Sequence, residues 1–233
     1  MLIECKVATR RSYQQHCGVA RALDVVGERW TLLIVRDLLI GPRRYGELLD
    51  ALPGITTNLL AKRLREMTRA GLVERQAGTP TASFEVYALT KAGRELEPVL
   101  MELGRWGGRL LATPRRGDVR NLGWALLSLK RRYRGSVGAV LEIRAGRRCF
   151  ELSFGDDRLE VQEKPSERAV ARLTAADQQP FFELFFAGTP AAVLEERGAL
   201  AVEGDRTVVQ AALASLGAAL HRRAKVDAET QVS

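Results

Sequence analysis

Asn58, Lys62, Arg65 and Arg69 follow one another at spacings of four, three and four residues, so a helix carrying them presents all four on one side. Leu60, Leu64 and Met67 fall on the opposite side as an apolar stripe able to hold that helix on a domain, with Arg63 on the flank. An outward row of amide, ammonium and guanidinium donors suits duplex DNA. Asparagine pairs with adenine, and lysine or arginine with guanine or a phosphate. Thr56 and Thr57 stand where the helix begins, and hydroxyls and free N–H groups at a helix start meet the phosphate backbone. Arg43 and Arg44 precede the supporting helix and suit nonspecific phosphate contacts, as does Arg75 beyond the basic helix. The same helix also reads as an ordinary solvated amphipathic one, so the elements around it have to decide.

Other chemistry is sparse. The chain has 233 residues but only two histidines, His16 and His221, and three cysteines, Cys5, Cys17 and Cys149, far apart. No disulfide framework, zinc spacing or other metal site is readable. No Walker loop, GxSxG, HExxH, CxxC or GxGxxG occurs, so neither an enzyme nor a cofactor is expected. Cys17 has two readings. It is an inert small residue at a helix start, or a thiolate sensor whose pKa is lowered by Arg10, Arg11 and the positive helix end.

The elements that must position these residues come in a recognisable order. Val19, Leu23 and Val26 repeat at helical spacing up to Gly27, and a largely apolar helix runs from about Trp30 to Ile40. A short helix, about 45–51, precedes the turn Pro53-Gly54. The basic helix follows, with Thr56 or Thr57 as N-cap and its end before Gly71. Leu72–Arg75 and Phe84–Leu89 read as two strands around a turn-rich loop, 77–83, that has no basic residue. Thr90 then caps a helix whose Leu96, Val99, Leu103, Trp106 and Leu110 recur at 3, 4, 3, 4, the seam of a helix meeting a partner helix. Helix, tight turn, basic helix, hairpin is the order of a winged helix-turn-helix, whose second helix enters the major groove.

Charge supports this division. The net +8 is carried mostly by residues 1–118, with 19 basic and 13 acidic side chains, against 17 and 15 in the remainder. The expected domains are a winged helix-turn-helix at 12–112, a linker at 113–118, an α+β domain at 119–222 and a flexible tail at 223–233. In the second half a helix at about 119–133 leads into β-like runs at 137–143, 148–154, 158–162 and 169–174. Helices at about 176–186 and 190–196, a strand at 200–203 and a last helix at 205–221 complete it. Phe181, Phe182, Phe185 and Phe186, with Trp124, supply apolar rings for a ligand pocket or simply for a core. No apolar run reaches the ~18 residues of a membrane helix and no signal-like segment opens the chain, so a cytoplasmic protein is expected.

Two resemblances follow. Residues 17–31, CGVARALDVVGERWT, with Gly41-Pro42-Arg43-Arg44-Tyr45-Gly46-Glu47-Leu48 and Tyr87-Ala88-Leu89-Thr90-Lys91-Ala92-Gly93, resemble HxlR-type bacterial regulators in order and distance over about 12–111. Gly18 stands where that family usually has proline, and the wing loop is short. The resemblance implies a dimeric winged-helix transcription regulator, a homodimer joined through terminal helices and bound to a double-stranded DNA operator with half-sites ~34 Å apart. Some relatives sense oxidants or aldehydes through the cysteine matching Cys17. Ala171–Ala175, Phe181–Thr189 and Gly198–Asp205 are similar to the sterol-carrier-protein-type-2-like fold over about 120–220. That implies an apolar tunnel and an apolar small-molecule effector. The rival reading is a lipid-binding protein whose winged domain makes protein contacts.

Overall fold

The computed structural model describes residues 12–79, 82–111 and 116–217. The chain divides into two compact units, Met1–Val119 and Arg120–Ser233. Residues 113–115 of the expected linker, the 223–233 tail, Cys5, Arg10, Arg11 and His221 lie outside the described residues.

The first unit runs α1 (Gly18–Val26), α2 (Thr31–Ile40), α3 (Tyr45–Ala51), α4 (Thr57–Arg69), β1 (Val73–Thr79), β2 (Ala82–Leu89), α5 (Lys91–Arg94) and α6 (Glu97–Gly107), with a 3-10 turn at Gly108–Leu110. Ile34, Val35 and Leu38 of α2 form the centre, packed in one buried cluster with Leu48, Leu52, Leu60, Leu64, Met67 and Leu89. An α2 apolar around much of its circumference is what a central helix requires. Trp30 caps it from a left-handed backbone, φ 79°. Gly71, φ 70°, turns the chain out of α4 so that the Leu72 N–H reaches back to the Met67 carbonyl at 3.0 Å.

Three sequence expectations change here. The hairpin strands extend through most of the expected 77–83 loop, with Ala77 opposite Glu85 and Thr79 opposite Ala82. The pairing there runs through backbone groups, which the turn-type composition of the segment hides. The helix expected from Thr90 to Leu110 is two helices. Pro98 cannot donate to Arg94, and so begins a new first turn. On α1 only Val26 of the expected apolar stripe is buried, while Val19 and Leu23 stay exposed.

In the second unit, Asn121 caps α7 (Leu122–Leu129), its side-chain oxygen accepting from the Gly123 N–H at 2.9 Å. The sheet comprises β3 (Ser136–Ala145), β4 (Arg148–Asp156), β5 (Leu159–Gln162), β6 (Ala171–Ala175) and β7 (Ala201–Gly204) in the order β5-β4-β3-β6-β7. Only the β3–β6 pairing is parallel. Leu141, Ile143, Phe150, Leu152, Phe154 and Leu173 alternate along it and are buried on one face. The helices α8 (Gln179–Phe182), α9 (Ala191–Glu196) and α10 (Arg206–Gly217) complete an α+β fold, α10 lying along β3 and β6.

The first helix of this unit is shorter than expected, and the buried Tyr133 lies just past it, its N–H donating to the Leu129 carbonyl at 2.9 Å. The expected 176–186 helix is short as well, because Pro180 must sit in a first turn. It continues as a π-helical turn, Glu183–Ala187, closed by Gly188 at φ 77°. Among the described residues no helix is long and apolar enough to cross a membrane.

Candidate nucleic-acid interface

Thr56 starts α4 by accepting a hydrogen bond from the Leu59 N–H at 3.3 Å. Leu60, Leu64 and Met67 are buried below it, which turns Thr57, Asn58, Lys62, Arg65 and Arg69 outward. Lys62 stands 4.0 Å from Glu66, a loose exposed pair, while Arg65 and Arg69 form no ion pair among the described residues. The Tyr45 hydroxyl donates to the Thr57 carbonyl at 2.5 Å and ties the start of α3 to the start of α4.

Arg63 is a correction. It is only 7% exposed, and its guanidinium donates to Glu28 at 2.7 Å and to Glu66. Its two terminal nitrogens face these carboxylates and not the solvent, unlike the outward DNA contact expected of it. Its position on the flank, between the buried and exposed stripes, turns it under the helix.

The remaining arginines collect at the hairpin. Arg43 exchanges two backbone hydrogen bonds with Tyr87, and Arg75 pairs with Tyr87 from the other side, so the three form one row across the ribbon. The Arg75 guanidinium lies 5.5 Å from the Tyr87 ring and 3.4 Å from Glu85. Arg44 lies 3.4 Å over the Phe84 ring, and its N–H donates to Glu47 to start α3. The organising roles of Phe84 and Tyr87 were missed in the sequence. Their aromatic side chains on a β-like run beside arginines were the available signal.

Residues 25–114 match the family described as HxlR-like helix-turn-helix. An HTH-type transcriptional regulator of Synechocystis sp. is 37% identical over 91 residues, covering 39% of this chain and 67% of that protein. One from Mycobacterium bovis is 43% identical over 97 residues, 42% of this chain and 61% of its own length. The Bacillus subtilis HTH-type transcriptional regulator YkvN is 37% identical over 92 residues, 40% of this chain and 78% of that one. The chain belongs to the HxlR-like helix-turn-helix family. It spans about two thirds of the length of the cyanobacterial relative and less of the mycobacterial one. Among solved structures, the reduced form of the transcriptional regulator YodB from B. subtilis is 32% identical, covers 45% of this chain and all of that one, and has a TM-score of 0.37.

Beyond α4, the HxlR-like unit exposes an apolar stripe along α6 and the 3-10 turn that follows it. Val99, Leu103, Trp106 and Leu110 are all open, Trp106 at 63%. Leu96 departs from the expected seam. As the residue capping α6 it is partly buried against the core of its own unit.

Cys17 is exposed at the start of α1. No hydrogen bond of capping geometry joins its side chain to the helix, yet the N–H groups of Ala20 and then Val19 hold the thiol below its ordinary pKa. Cys149 is half-buried on β4. Iodoacetamide near neutral pH is expected to label Cys17 before Cys149, followed by peptide mass spectrometry. Equal rates would show that the helix start does not activate Cys17.

The second unit lies beyond the family match and holds a cavity of about 170 Å³ lined by Arg132, Leu184, Phe185, Pro190, Leu213 and Leu216 among others. Of the five aromatic residues expected at a pocket, only Phe185 lines this one. Phe181 is fully buried and stacks on Phe185 at 6.5 Å. Phe182 and Phe186 form a separate half-buried pair, overlain by Arg120 and Arg132. Trp124, half-buried on α7, is not among the lining residues. Helical periodicity explains the split: residues four apart share a side, so 181 pairs with 185 and 182 with 186.

Proposed function

We propose that this HxlR-type transcriptional regulator binds operator DNA in the cytoplasm as a homodimer, reading bases with the outer face of α4. The carrying observation is that Asn58, Lys62, Arg65 and Arg69 are exposed together on a helix whose other side is locked into the core. Arg43, Arg44 and Arg75, with the hydroxyls of Thr56 and Thr57, are assigned to the phosphate backbone. A duplex selected by the chain from a random-sequence pool tests this reading. Arg65→Ala is expected to weaken binding to it by about 1–3 kcal/mol, and Lys62→Ala to lower the salt slope by about one. Unchanged affinity and slope in both variants would refute the assigned face.

The open α6 stripe supports the homodimer, since a solvent-facing Val99, Leu103, Trp106 and Leu110 call for a partner surface. Sedimentation is expected to give a dimer for the parent and a monomer for Leu103→Glu. A monomeric parent would remove the dimer.

For the second unit, a sterol-carrier-protein-type-2-like arrangement is supported by the helices against a five-stranded sheet. The cavity beside the π-helical turn suits a small, mostly apolar effector. To switch the regulator nearly completely, such an effector must prefer one dimer geometry by about 5 kcal/mol. Native mass spectrometry of the chain with medium-chain fatty acids checks this, and no binding at millimolar ligand would remove that ligand class.

A further inference from the structure

Arg63 is the one arginine of α4 that turns inward, and it ends on the turn between α1 and α2. Its side chain is 8% exposed. One terminal nitrogen donates to Glu28 at 2.7 Å, the other to Glu66 one helical turn along α4. The Glu28 end is held in place. At Gly27 a Cβ would meet the Leu23 carbonyl oxygen at 2.5 Å, so the chain turns there with no room for a side chain. Two residues after Glu28, Trp30 adopts its left-handed backbone, and the Glu28 carbonyl accepts from the Thr31 N–H at 3.1 Å.

Leu60, Leu64 and Met67 hold α4 by apolar packing, which is not directional. A guanidinium gripped by carboxylates on two elements is directional, because its donors have a fixed planar fork. We propose that Glu28, Arg63 and Glu66 form a clamp that sets the roll of the recognition helix about its axis. Arg63 is thus a positioning residue that acts through Asn58, Lys62 and Arg65.

This inference rests on the reading of α4 as the DNA helix, and one experiment separates the two. The full chain, Glu28→Gln and Arg63→Lys are titrated against the duplex selected by the parent and against an unrelated duplex, over a range of salt. Both variants keep the side-chain length or charge while breaking the charged fork. Each is expected to lose about tenfold in affinity for the selected duplex, the equivalent of one base contact, while the unrelated duplex is bound as before. The salt slope should not change, since no phosphate contact is lost. Undiminished discrimination between the duplexes overturns the clamp. So does a gain in affinity with a steeper slope in Glu28→Gln, which would mean that a released Arg63 goes to a phosphate. Equal loss on both duplexes also overturns it, because the trio would then hold the fold and not the reading. If the parent selects no sequence at all, the DNA reading itself falls and the clamp with it.

Discussion

Gly93→Ala is expected to unfold the winged unit or to destabilise it by about 3 kcal/mol or more, the upper range for overpacking a core. A Cβ at this position would stand 2.1 Å from the Leu72 carbonyl oxygen and 3.0 Å from Leu89 Cδ2. The carbonyl cannot step aside freely, because it accepts the Thr90 N–H at 3.0 Å. Thr90 in turn accepts from the Gly93 N–H at 3.1 Å and donates to the Gly71 carbonyl at 2.5 Å. The exit of α4, the hairpin base and the start of α5 therefore meet at one crowded point. Gly46→Ala is the control. It lies in α3 with nothing within 4 Å of the added methyl, and is expected to be neutral or stabilising by about 0.5–1 kcal/mol. Urea denaturation of both variants checks this, and a Gly93→Ala midpoint equal to the parent's would sink it.

The crowding at Gly93 was invisible in the sequence, whereas the helix that Gly71 ends was not. For α4 the Thr56 cap, the apolar spacing at 60, 64 and 67 and the closing glycine are all local signals, and they agree with each other. Arg63 lies between the two stripes, where spacing decides nothing. Only the placement of Glu28, 35 residues earlier, turns it from a surface charge into an internal one. The break between α5 and α6 was masked because the apolar spacing from Leu96 to Val99 runs across it unchanged. Val19 and Leu23 repeat at helical spacing yet stay exposed, because an apolar stripe does not say that its own chain covers it. In the second unit, alternation marks the strands well through Leu141 and Ile143 and through Phe150, Leu152 and Phe154. The same alternation assigns Glu142 and Glu151 to solvent, and there it misleads.

Those two carboxylates carry the other large expected effect. Glu142 is fully buried and Glu151 nearly so, directly opposite each other on β3 and β4, where like charges repel. Ser166 lies between them. Its N–H donates to Glu142 at 2.6 Å and its hydroxyl to Glu151 at 2.7 Å. Arg172 and Arg144 reach Glu142, while Arg168 and Lys164 reach Glu151, so the segment around Ser166 is strapped over the outer face of the sheet. Glu142→Ala removes the anchor and leaves the Ser166 N–H and two guanidinium groups without it. A loss of about 3 kcal/mol is expected, the lower range for breaking a buried pair, because both arginines are partly exposed. The thermal midpoint of the second unit should fall by roughly 10 °C.

Acid should act through the same atoms. Burial pushes the Glu142 carboxyl up, but the Ser166 N–H, Arg172 and Arg144 together hold it below the ordinary 4.5. Burial likewise raises Glu151, and Ser166, Arg168 and Lys164 outweigh it. A carboxylate whose folded pKa is depressed binds protons more readily when unfolded. Its stabilisation is therefore complete above about pH 4.5 and drains away as the pH falls through the lower folded value. Glu142→Gln keeps the shape of the side chain and cannot titrate. It should start less stable at neutral pH and lose less between pH 5 and about pH 3, so that its curve converges on the parent's. Parallel curves would show that Glu142 holds the strap by contact alone, and that its charge does nothing for the fold.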